Sequence, residues 1–281
     1  MPRRLALGLA GAFTVGLALV GAVLYPSLGR TPLGWPGVTA TAPSVPATAT
    51  PFGQSSASPS NATATSGSDR GRAWYCALDD RLTPYRGYDD YARTYLDWTY
   101  ALPADYAPRD LAAVSSAGFG GESRSEVVRA IVIADLAALR AAAGAAGHHL
   151  TVLSGYRSYT AQQSTFNYWI GIGGYEQALR TSARAGHSEH QLGTAIDFSS
   201  DTTPPWEYAD WGATPPGRWL AENAWRYGFV LSYPAGKENV TCYEYEPWHF
   251  RWVGRANAGA VRESGLTLRE FLAGVARGPG P

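Results

Sequence analysis

The chain has 281 residues, of which 23 are basic and 23 acidic, and it is 45% hydrophobic and 12% aromatic. This balance gives no electrostatic case for a nucleic-acid partner. It also gives no strong attraction to an anionic membrane surface beyond what the N-terminus supplies.

Arg3 and Arg4 precede an apolar run over 5–25, about 21 residues and long enough to span a bilayer. Basic residues before such a run favour a cytoplasmic N-terminus and an exported remainder. Ala22 to Leu24 is a poor small-x-small cleavage site, so an uncleaved signal anchor over 1–30 is favoured over a cleaved signal peptide. Residues 31–68 are rich in Pro, Ala, Thr and Ser and nearly uncharged. Such a segment buries no core and reads as a flexible linker, either a tether with reach into a cell wall or a plain spacer. From 69 to 281 the composition is globular, enough for one domain with a sizeable core.

Within that domain, 69–124 reads as tyrosine-rich helical or irregular packing. Val127, Val128, Ile131, Leu136 and Leu139 lie near helical spacing among alanines and predict a helix over 125–146, ended by Gly147. A strand over 149–153 follows and delivers Ser154 to Arg157 to a loop. Helices are expected over 160–169 and 175–185, broken at 171–174 by glycines, and a strand over 193–199. A helix over 217–227, strands over 228–233 and 245–253, and a terminal helix over 267–275 complete the reading. Helices around a small, mostly antiparallel sheet make an α+β domain.

Chemistry concentrates in two segments about fifty residues apart. The first carries Ser188, His190, Gly193, Ala195 and Asp197; the second carries Glu246, Pro247, Trp248 and His249. Two histidines and one carboxylate fill three tetrahedral positions on Zn²⁺ and leave the fourth for water, and a further carboxylate can take a proton from that water. Small residues at 193–195 let the backbone approach a metal closely. On a regular strand Glu246 and His249 would face opposite ways, so both reach one site only if the chain turns or bulges near Pro247. His187 adjoins Ser188 but is left out, because three ligands already suffice. His148, His149, Glu189 and Asp201 read as solvent-exposed residues.

The pattern S-x-H-x-x-G-x-A-x-D followed by E-x-x-H resembles the zinc D,D-carboxypeptidases and D,D-dipeptidases of the VanY/VanX type, within the LAS group of metallopeptidases. The run from Ser154 through Arg157 to Gln162 resembles that group's S-G-Y-R-S-x-x-x-Q segment. The resemblance covers roughly 125–256. It implies a Hedgehog/D,D-peptidase-like zinc peptidase fold, with His190, Asp197 and His249 as zinc ligands and Glu246 as general base and then acid. It implies Arg157 over the scissile carbonyl, and Ser188 and Gln162 holding the terminal D-residue. Bland readings stand beside these: Arg157 as a salt-bridge partner, Ser188 as a helix cap, and Gln162 as one polar residue of a helix.

Cys76 and Cys242 are the two cysteines, and an exported chain permits one disulfide between them, worth about 2–4 kcal/mol. The function expected is an extracytoplasmic carboxypeptidase that removes terminal D-alanine from peptidoglycan stem peptides. An L,D-carboxypeptidase or D,D-dipeptidase of the same fold, or a wall-binding module without catalysis, are the alternatives; Glu246 argues against the last, since metal binding alone does not need that base.

Overall fold

The computed structural model describes residues 76–201 and 211–277. The anchor expected over 1–30 and the linker over 31–68 lie outside the described residues. Among the described residues no helix is long and apolar enough to cross a membrane.

Four strands form the central sheet: β5 (Leu150–Ser154), β6 (Ala195–Ser200), β7 (Phe229–Leu231) and β8 (His249–Trp252). Their order is β5-β6-β8-β7 and every neighbouring pair is antiparallel. Alternation along the strands divides the faces. Val152, Ile196, Phe198, Phe229, Phe250 and Trp252 point into the main core. Asp197 is register partner of His249, so both project from the face opposite Phe198 and Phe250. Helix α1 (Ile133–Ala145) covers the apolar face through Leu136, Leu139 and Ala143, spaced as one helical stripe. Phe198 meets Phe229 and Phe250 edge-on, at centroid distances of 6.0 and 5.9 Å.

Sequence spacing misplaces the start of α1. Val127–Arg129 is a strand, β4, antiparallel to β3 (Leu111–Ala113), and a 3₁₀ turn over Ala130–Val132 leads into the helix. Adjacent valines suit a pleated strand, and the partner that settles the matter comes from the segment that sequence reading left irregular. That segment holds a second small ladder, β1 (Arg81–Leu82) parallel to β2 (Tyr100–Ala101). Helix α2 (Tyr159–Thr181) is capped by Ser158, and Gly174, at φ 79°, breaks it into two pieces. The break falls where the glycines predict it, although the first piece runs further than expected.

Helix α3 (Pro215–Asn223) passes into a 3₁₀ turn over Ala224–Tyr227, closed by Gly228 at φ 87°. A four-residue helix α4 (Glu238–Thr241) precedes the second motif. Helix α5 (Arg255–Ser264) is absent from the sequence reading, because Ala258 and Val261 are its fully packed apolar residues and give too weak a stripe. Helix α6 (Leu268–Arg277) ends the described chain.

Residues 79–98 run across the domain as a strap, gripped chiefly by its backbone. Arg129 Nη1 donates to Tyr88 O at 2.7 Å, and Arg251 Nη2 donates to Tyr91 O and Thr94 O at 2.7 and 2.8 Å. Arg184 Nη2 reaches Asp79 O and Trp98 O at 2.7 and 2.9 Å, and His187 Nδ1 lies 2.6 Å from Asp97 O. Arg269 of α6 pairs with the Asp97 carboxylate. Cys76 is bonded to Cys242 across a sequence separation of 166.

Candidate active site

Ser188 caps a 3₁₀ turn, Glu189–Leu192, by accepting from His190 N at 3.3 Å, and Gly193 ends it at φ 71°. A side chain at 193 would also press on Arg129 and Pro108, so glycine is required twice over. The turn aims His190 back at the sheet. Its Nδ1 donates to Gly155 O at 2.7 Å, which leaves Nε2 facing Asp197 Oδ2 at 3.2 Å.

His249 faces the same carboxylate from β8, with Nδ1 3.0 Å from Asp197 Oδ1. Its Nε2 lies 3.0 Å from Glu189 Oε2. The chain turns over 247–248, and His249 N donates to Glu246 O at 3.1 Å. That turn is the irregularity expected at Pro247, and it brings Glu246 Oε2 to 3.7 Å from His249 Nδ1.

His190, Asp197 and His249 therefore offer donor atoms all within 4.8 Å of one another. Around a tetrahedral ion with bonds of about 2.0–2.1 Å, donors sit about 3.3 Å apart. The 3.2 and 3.0 Å contacts, made to the two different oxygens of Asp197, are near that spacing, and the ring nitrogens facing away from the cluster already have partners. The donor set fits a divalent cation of the zinc type.

The charges are strongly coupled. Burial opposes ionisation of Asp197, but His190 and His249 outweigh it and hold the carboxyl well below its usual range. Burial lowers His190, so its ring is neutral and Nε2 is free to accept. Burial also lowers His249, yet its hydrogen bonds to Asp197 and Glu189 raise it to about 10. A cation on the Asp197 side would replace the Nδ1 proton and leave Nε2–H on Glu189. Burial pushes Glu246 up to about 8, against the pull of His249 and Arg157.

Arg157 follows β5 in a loop fixed by two contacts to β4 and its neighbour: Tyr156 N to Val127 O at 2.7 Å and Gly155 N to Glu126 Oε2 at 2.8 Å. Its guanidinium is close enough to act electrostatically on both His190 and Glu246. Arg157 Nε has no partner among the described residues. Gln162 is buried on α2, and its Nε2 donates to Ala183 O at 2.6 Å and, at 3.4 Å, to Ser182 Oγ, while Oε1 is unpartnered. Ser188 is spent on the turn beside it.

Glu189, whose sequence context predicts a surface charge, is not at the surface. It is buried, and Arg251 Nη1 and Ser232 Oγ donate to it at 2.9 and 2.6 Å. Its partners lie 43 to 62 residues away, so no local pattern could show them. His187 turns away from the metal cluster, to Asp97 O and Asp80. His149 is exposed and His148 lies against Trp219.

Residues 125–255 match the family described as VanY: D-alanyl-D-alanine carboxypeptidase. A curated relative, the putative carboxypeptidase YodJ of Bacillus subtilis (strain 168), is 38% identical over 175 residues, which cover 62% of this chain and 64% of YodJ. The chain thus spans just under two thirds of that relative's length. Among solved structures, the LdcB LD-carboxypeptidase superposes with a TM-score of 0.59 at 32% identity, covering 71% of this chain and 98% of that one. The VanY D,D-pentapeptidase from a VanB-type resistance cassette, in complex with Zn(II), gives 0.54 at 29% identity, covering 65% and 99%.

Proposed function

Because this chain belongs to the VanY family of D-alanyl-D-alanine carboxypeptidases, we propose that it is a zinc D,D-carboxypeptidase that removes the terminal D-alanine of peptidoglycan stem peptides. The observation that carries the proposal is one buried cluster holding His190, Asp197 and His249 with Glu246 beside them. In this reading the first three hold Zn²⁺, which when bound supplies an acidified water and a positive charge for the substrate carbonyl oxygen. Glu246 takes the proton from the attacking water and returns it to the leaving amine. Arg157, with an uncommitted N–H, stabilises charge on the carbonyl oxygen. The unpartnered Gln162 Oε1 accepts from the N–H of the terminal D-residue, and Ser188, whose Oγ accepts from His190 N, has its O–H left to donate to that residue.

The likeness to LdcB favours a second reading, an L,D-carboxypeptidase acting on stem tetrapeptides. We place the work outside the membrane, with an anchor over 1–30, a linker over 31–68 and the peptidase domain over 69–281. The apolar run with its preceding arginines and the Cys76–Cys242 bond both suit an exported chain.

The test incubates the full chain with a pentapeptide ending in D-Ala-D-Ala and with the corresponding tetrapeptide, and follows free D-alanine by mass spectrometry. Release from the pentapeptide, lost in Glu246→Gln and with chelator, supports the D,D reading. Cleavage of the tetrapeptide alone assigns the L,D type. Cleavage of neither, with metal bound, refutes both carboxypeptidase readings; release of D-alanine from free D-Ala-D-Ala then assigns a D,D-dipeptidase, and none from it leaves a wall-binding module.

A further inference from the structure

Glu189 would touch neither metal nor substrate in this reading, yet its carboxylate is fully committed. Oε2 accepts from Ser232 Oγ at 2.6 Å and faces His249 Nε2 at 3.0 Å, while Oε1 accepts from Arg251 Nη1 at 2.9 Å. The Glu189 side chain is 6% exposed and that of Arg251 0%. Arg251 gives its remaining Nη2 donors to Tyr91 O and Thr94 O, and its Nε is buried without a partner. A buried ion pair is a poor device for stability alone, because desolvation offsets much of the attraction. The chain of contacts instead has a direction: strap carbonyls, Arg251, Glu189, and finally the one nitrogen of His249 that does not face Asp197. One short turn thus supplies a ligand, His190, and the residue that grips the other histidine.

We infer that Glu189, backed by Arg251 and Ser232, is a positioning residue that fixes the His249 ring so that Nδ1 is presented to the metal. Through Arg251 the support reaches Tyr91 and Thr94, which lie outside the matched segment 125–255. The inference rests on the zinc reading above and deepens it. Partners of a ligating histidine's second nitrogen commonly tune metal affinity 10–100-fold.

The experiment uses the full chain as wild type, Glu189→Gln and Ser232→Ala. Zinc dissociation constants are measured by chelator competition, melting temperatures in excess chelator, and kcat and KM at saturating zinc on whichever peptide the wild type cleaves. Glu189→Gln should weaken zinc about 10–100-fold and lower kcat, with KM within about twofold because Glu189 meets no substrate. Ser232→Ala, which removes one restraint on Glu189, should weaken zinc by a smaller factor. It carries the test alone if Glu189→Gln fails to fold. Zinc affinity equal to wild type in the folded variants overturns the positioning role and leaves the zinc reading intact. A wild-type chain with no zinc affinity refutes the zinc reading, and this inference with it.

Discussion

Removing the covalent link between the strap and the second motif, with Cys76→Ser and Cys242→Ser together, should lower folding stability by about 5 kcal/mol. The bond closes a separation of 166 residues, and the chain-entropy relation for a loop of that size gives about 17 cal/mol/K, or about 5 kcal/mol at 25 °C. Little should be recovered in the native state. Arg184, His187 and the Asp97–Arg269 pair still hold the strap. Residue 242 keeps φ 69° as a non-glycine, a conformation serine finds no easier than cysteine. The assay is urea unfolding, followed by tryptophan fluorescence, of three samples: wild type, wild type with reductant, and the double variant. The last two should unfold together, well below the first. A double variant within about 1 kcal/mol of oxidised wild type would refute the reasoning, since it would mean that the closed loop barely restricts the unfolded chain.

Other perturbations separate positioning from chemistry. A Cβ on Gly155 would lie 2.4 Å from Val127 O, so Gly155→Ala must displace the loop that bears Arg157 and the carbonyl that orients His190. The expected result is a fall in kcat/KM of about 100-fold, and wild-type kinetics would contradict it. Arg157→Lys should retain the fold, seen by circular dichroism, but reduce kcat by about 10²–10³ through loss of the planar donor fork; full activity would remove Arg157 from the mechanism. In excess chelator, stability should fall as pH rises from about 6.5 to 10. His249 has its folded pKa raised to about 10, so its contribution is complete below its unfolded value of about 6.5 and is lost as pH rises through the folded one. Glu246, pushed up to about 8, adds a slope of the same sign between about 4.5 and 8 and none above. A flat profile of chemical unfolding free energy over that window would refute this assignment of charge.

Motif spacing made the site legible before any fold was drawn. His190 and Asp197 are separated by a glycine that must turn the chain, and Glu246 and His249 flank a proline that prevents a regular strand. Those local constraints survive in the structure as the turn at Gly193 and the turn over 247–248. Period-2 alternation puts Asp197 on the face opposite Ile196 and Phe198, and the pairing of β6 with β8 then sets it beside His249. What escaped was non-local. Val127–Arg129 becomes a strand because Leu111–Ala113 lies beside it, and its helical spacing carries no trace of that partner. Glu189 is buried because Ser232, His249 and Arg251 converge on it from two other strands and their ends. A short amphipathic helix such as Arg255–Ser264 needs only two buried residues, too few to read as a stripe.

The strap is held through carbonyl oxygens at Asp79, Tyr88, Tyr91, Thr94, Asp97 and Trp98. Every amino acid presents that same oxygen, so the grip does not depend on which side chains several of these positions carry. It does depend on how many residues lie between one grip and the next. Substitutions along the strap should therefore be tolerated far better than a single insertion or deletion. One extra residue between 88 and 94 would slide the carbonyls out of reach of Arg129 or Arg251, and the slip would be felt at His249.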